Sequence, residues 1–240
     1  GILFVFLSIW TGSYLTATTL WWALGGYVVF SILHAGFAVW PRPAEAAPPK
    51  SPVLNFLPLL PLILIWICVA KNETSSAVWL CLLVLDFVVI GVALVRRSAV
   101  AIAGAVVLTF FSALLWITIG PADIDLRSFL IVAAGSGTLF FSVSLFAAQR
   151  FFPDSPHVRR NIPALAASLP FVLIIMAMTK LPATNPTPYF ITTFILCVLL
   201  LGLGVISRTS WIALIALIFA WLVQSEWQVH LTPEFAALAL

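Results

Sequence analysis

Read for runs of apolar residues, the chain divides into long hydrophobic stretches separated by short polar ones. A helix that crosses a bilayer needs ~20 mostly apolar residues. Eight stretches approach that length: Leu15–Trp40, Val53–Ala70, Ala77–Val95, Ala99–Ile119, Ser128–Ala148, Ile162–Thr179, Phe190–Ile206 and a shorter one, Trp211–Val223. Ile2–Trp10 and Phe235–Leu240 read as partial spans. The runs are too long and too continuous for strands, and an open sheet leaves its edge groups unpaired in hydrocarbon. The pattern predicts an all-α, polytopic transmembrane helical bundle with about eight full and two partial spans.

The connectors collect the polar residues: Pro41–Pro52, Lys71–Ser76, Arg96–Ser98, Pro121–Arg127, Gln149–Asn161, Lys180–Tyr189, Ser207–Ser210 and Gln224–Glu234. Pro41–Pro52, with five prolines and three alanines, reads as an extended linker. Counted on alternate connectors, one set holds Arg42, Lys50, Arg96, Arg97, Arg150, Arg159, Arg160 and Arg208, and the other holds Lys71, Arg127 and Lys180. Eight against three accounts for all eleven cations. In short loops such a bias places the basic side in the cytoplasm, so these arginines are expected to anchor the topology of a multi-pass protein of a bacterial inner membrane.

Four of them also mark a period. Arg42, Arg96, Arg150 and Arg208 are spaced by 54, 54 and 58 residues, and each closes a similar stretch, such as Phe37-Ala-Val-Trp-Pro-Arg42 and Phe146-Ala-Ala-Gln-Arg150. The returning helices carry Trp66, Trp116 and Trp221 toward the opposite end, with Met176 in the third unit. This predicts repeated two-helix hairpins near residues 15–70, 77–119, 128–179 and 190–223 within a single transmembrane region.

Composition agrees with a lipid solvent. Hydrophobic residues make up 63% of the chain and charged residues 8%, against roughly 25% charged in a soluble domain. A bilayer is therefore the expected partner and no nucleic acid is expected, since the small excess of cations reports orientation. Gly1 opens directly into an apolar run and the chain stops inside another, so the remainder of a longer chain is an expected partner too. Cys68, Cys81 and Cys197 lie in spans and read as small buried hydrophobes; a Cys68–Cys81 disulfide is possible on position.

One residue invites chemistry. Asp86 lies midway along Ala77–Val95, where a charge costs about 2.5–3.5 kcal/mol on insertion scales. It must face the bundle interior, pair or be protonated. His34 stands eight residues before Arg42, and Asp86 ten before Arg96, which puts both at a similar depth. The two make a candidate intramembrane binding site, of the kind a proton or cation relay uses, provided their repeat-related helices pack together.

Other features point less far. Asp123 and Asp125 share a loop on the other side, as acidic residues do in membrane-embedded glycosyltransferases, though the long outer loop of those enzymes is missing. Gly135-Ser-Gly137, Ser142, Ser144, Gly202 and Gly204 read as helix-packing positions. Pro58, Pro61, Pro163 and Pro170 fall early in or within spans and are expected to bend them. Asn72-Glu-Thr74 fits a glycosylation acceptor. No Cys/His cluster has metal-ligand spacing, and neither cofactor nor catalytic residues are expected.

Trp79–Arg97, the return Ala99–Trp116 and the segment Trp227-Gln-Val-His-Leu-Thr-Pro-Glu234 resemble a family of large bacterial polytopic proteins, the "predicted membrane proteins" of domain of unknown function 2339. The resemblance implies many short-looped helices and a longer parent chain, and it brings no catalytic residues. The function expected from the whole sequence is a non-catalytic, structural or envelope-associated membrane protein. The alternatives are a transporter or channel using Asp86 and a glycosyltransferase-like membrane enzyme.

Overall fold

The computed structural model describes residues 2–39, 57–71, 75–119, 126–180, 186–207 and 210–230. Among them the chain is helical, with no strand. The order is α1 (Ile2–Tyr14), α2 (Leu20–Val39), a 3₁₀ turn (Leu57–Leu59), α3 (Leu60–Ala70), α4 (Ser76–Arg96), α5 (Ala99–Ile119), α6 (Leu126–Phe151), α7 (Pro156–Lys180), α8 (Thr187–Ser207) and α9 (Ser210–His230). Seven of these, α2 and α4 to α9, are long and apolar enough to cross a membrane, while α1 and α3 are shorter apolar helices. Large apolar side chains cover the outside as well as the core: Phe6, Trp22, Phe87, Ile131, Phe194 and Leu217 are all exposed. A surface of this kind is stable only against lipid, and the protein is an integral, multi-pass membrane protein of all-α class.

The helix ends differ from the apolar runs in instructive ways. Leu15–Trp40 is not one helix, because the chain breaks over residues 15–19. There Thr19 Oγ1 accepts the Thr16 N–H at 2.9 Å and donates to Tyr14 O at 2.8 Å, so hydroxyls replace the helical ladder. Trp211–Val223 is not a short span, since α9 continues to His230. The connector Gln149–Asn161 shrinks to residues 152–155, and Arg159 and Arg160 stand in the first turns of α7. Polar residues at those ends carry the helices beyond the apolar runs. Pro61 falls in the first turn of α3, where a missing N–H leaves no bond unmade. It starts the helix rather than bending it. Pro163 and Pro170 lie inside α7.

Two compact units emerge, residues 1–120 with 146–153, and residues 121–145 with 154–240. In the first, α2 and α4 run parallel. Cys81 Sγ donates to Leu24 O near one end, at 3.8 Å, and Arg96 Nη1 to Ala38 O near the other, at 3.2 Å. α3 and α5 also run parallel, with the Trp66 and Phe111 rings 4.5 Å apart and Leu59 against Gly104. α4 and α5 are antiparallel and joined by a two-residue turn in which Arg97 adopts φ 51. Consecutive helices from α2 to α5 therefore alternate in direction, while the side-by-side pairs run parallel. Arg96 and Arg97 stand at one end, and Trp66, Trp79 and Trp116 at the other. The Trp79 and Trp116 rings lie 4.3 Å apart.

In the second unit α7, α8 and α9 pack mutually. Phe171 stacks on Phe219 at 4.8 Å and 10°, and the Arg160 guanidinium lies 5.3 Å from the Trp211 ring. Gly137 of α6 faces the Pro170 ring so closely that a Cβ there would stand 2.7 Å from Pro170 Cγ. This glycine has the packing role its sequence context suggests. Gly135 and Gly202 face open space instead.

Candidate functional site

The first unit carries a set of buried polar groups inside an otherwise apolar core. Asp86 sits at the middle of α4, 2% exposed, and accepts a hydrogen bond from Thr109 Oγ1 of α5 at 2.7 Å. Thr109 is itself 1% exposed. The pairing follows from the antiparallel α4–α5 hairpin, which brings the two mid-helix positions to one level. A hydroxyl–carboxyl bond between membrane helices contributes roughly 0.6–2 kcal/mol. Its larger effect is to give a buried acid a donor, since leaving one unmet costs about 1–3 kcal/mol.

His34 and Asp86 are not bonded to one another. α2 and α4 do pack side by side, as their joint site requires. His34 Nδ1, however, donates to Phe30 O of its own helix at 2.8 Å, and its ring lies 3.9 Å from that of Phe30. Asp86 turns instead toward α5. Ser31, also on α2, is fully buried, with a hydroxyl that has no partner. In the α2–α4 register set by Leu24 with Cys81 and Ala38 with Arg96, Ser31 falls close to the level of Asp86.

A second polar chain joins α1, α2 and α3. Thr11 Oγ1 and Tyr27 Oη hydrogen-bond at 2.7 Å, and Tyr27 Oη and Cys68 Sγ are 3.7 Å apart. All three residues are fully buried. No disulfide joins Cys68 and Cys81. No group of three or more His, Cys, Asp or Glu side chains gathers as metal ligands among the described residues.

The remaining sequence candidates take simpler places. Arg96 and Arg97 close α4, Arg150 lies in the last turn of α6, and Arg159 and Arg160 begin α7. Arg42, Arg208, Asp123, Asp125 and Asn72–Thr74 lie outside the described residues, as does the end Phe235–Leu240. Sequence reasoning missed Thr109, Thr11 and Tyr27. A hydroxyl residue inside a span is nearly neutral in hydropathy, and only its distance along the next helix from Asp86 could have singled out Thr109.

On its other side α4 helps form a groove with α2, of about 430 Å³, lined by apolar residues that include Ile32, Gly36, Phe87 and Gly91. Gly91 follows Asp86 by five residues, about 140° round the helix. One helix thus seals an acid on one face and opens a slot on another. Comparison of the chain with protein-family models, with curated proteins and with solved structures gives no match.

Proposed function

We propose that this chain is a non-catalytic structural protein of the bacterial inner membrane, with its arginine-rich end in the cytoplasm. The observation that carries the reading is the treatment of Asp86: the mid-helix acid is sealed in the core and used to clasp α4 to α5 through Thr109. The Lys and Arg bias, eight against three, supports the orientation. The parallel pairs α2 with α4 and α3 with α5 support duplication of a two-helix hairpin, and with it the resemblance to the polytopic family of domain of unknown function 2339.

The test is flux. Reconstituted into liposomes with a pH-sensitive dye and an imposed gradient, the wild type and Asp86→Asn are expected to pass protons at the same low rate as empty liposomes. The amide keeps an acceptor for Thr109, so folding is retained. Proton or cation flux that disappears in Asp86→Asn establishes the second reading, a transporter or channel. That reading has one observation in its favour, the unpartnered Ser31 hydroxyl near the level of Asp86.

A further inference from the structure

The groove between α2 and α4 is shallow and open. Its floor is formed at Gly36 and Gly91, and at neither glycine does an atom beyond its own stretch of helix lie within 4 Å of where a Cβ would stand. Its walls are Ile32, Val39, Phe87 and Val95, and it runs roughly 10 Å along the helices at 1.5 Å per residue. A gap in hydrocarbon forfeits dispersion contacts along its whole lining, so something apolar fills it.

The shape and the charge at its mouth choose among occupants. A helix of a second copy packs closely where small residues recur at four-residue spacing on one helix. Here the residues four away along the sequence are Ile32 and Trp40 for Gly36, and Phe87 and Val95 for Gly91. The two glycines stand on different helices, and the result is a slot between helices. At the end past Val39 and Val95 stands Arg96. Its Nη1 donates to Ala38 O across the α2–α4 seam, at 3.2 Å, which holds the guanidinium at the mouth. Arg97 follows, exposed and in the left-handed conformation, its guanidinium 5.7 Å from the Phe151 ring. Guanidinium groups bind phosphate oxygens in bidentate fashion.

An apolar groove with Arg96 held across the seam at its end, and Arg97 next to it in the chain, matches an amphiphile with a hydrocarbon tail and an anionic head. We propose that this groove is a binding site for an anionic phospholipid, with one acyl chain lying over Gly36 and Gly91 and the phosphate at Arg96 and Arg97. Basic positions between membrane helices bind such headgroups on general electrostatic grounds. The site is distinct from the Asp86–Thr109 clasp.

The experiment is native mass spectrometry of the full chain released from nanodiscs of mixed phosphatidylglycerol and phosphatidylcholine. Wild type is expected to retain phosphatidylglycerol about tenfold better, the order given by two cations beside an anionic head. Arg96→Gln with Arg97→Gln is expected to make the two lipids equal. Gly91→Leu, which fills the slot and leaves both cations, is expected to lower retention of both. Gly36→Leu repeats that arm from the other helix, with helix content by circular dichroism as the folding control. Equal retention of the two lipids by wild type overturns the proposal, as does full phosphatidylglycerol retention in a folded Gly91→Leu protein. Disulfide-linked dimers of Gly91→Cys in the membrane also overturn it, by placing a second copy in the groove.

Discussion

In the first unit, side chain meets side chain across helices: Thr11 with Tyr27, Tyr27 with Cys68, and Asp86 with Thr109. Among the described bonds of the second, side chains reach backbone carbonyls across helices, Tyr189 Oη donating to Ala177 O at 3.4 Å and Cys197 Sγ to Ala216 O at 3.7 Å. Rings and a proline fill the space between. A side-chain pair fixes which residues must face one another, because both partners have to be correct. Bonds to carbonyls also register helices, as Cys81 with Leu24 and Arg96 with Ala38 do in the first unit; in the second, close packing adds to them. Its helices are aligned by Gly137 against Pro170 and by Phe171 on Phe219.

The largest effect that tests this contrast is expected at Gly137. Gly137→Leu drives a side chain into a pyrrolidine ring that cannot rotate away, a case of overpacking worth about 3 kcal/mol. Equilibrium unfolding in mixed micelles measures it, and wild-type stability in this variant removes shape as an organising element of the second unit. Next comes Thr109→Val in the first unit, which keeps the volume and removes the donor to Asp86. A loss of about 1–2 kcal/mol is expected, with Thr109→Ser restoring most of it. Equal stability of the valine and serine variants shows that packing, and not the hydroxyl, holds α4 to α5. The smallest effect is expected at Gly104, whose Cβ would meet Leu59 Cδ1 at 2.8 Å. That methyl is the free end of a flexible side chain, so Gly104→Ala should cost less than about 1 kcal/mol. A cost matching that of Gly137→Leu erases the distinction between rigid and yielding neighbours.

The spans were legible because lipid imposes a length and an apolar composition that few other environments demand. Their ends were not, for two reasons. Helical hydrogen bonding continues past the apolar run, as at Arg159, Arg160 and Gln224. Threonines with ordinary hydropathy can also replace the backbone ladder, as at residues 16–19. That Asp86 needs a partner could be read from its position; that the partner is Thr109 and not His34 could not. Hydropathy carries depth but no direction round the helix. Depth placed His34 near Asp86, while the direction of each side chain separated them. The α2–α4 groove had a faint signal in the step from Arg42 to Arg96, which suggests adjacent parallel helices with Gly36 and Gly91 near their ends.

The two-residue turn at Arg97 also bears on how the chain enters the bilayer. Thr109 follows Asp86 by only 23 residues, with Ser98 Oγ accepting the Ala101 N–H at 3.3 Å to begin the returning helix. An isolated segment with a central acid is a poor client for the insertion machinery. Here the acid's hydroxyl donor emerges from the ribosome directly behind it, so biogenesis can proceed by the pair: a hairpin that partitions into lipid with its acid already met.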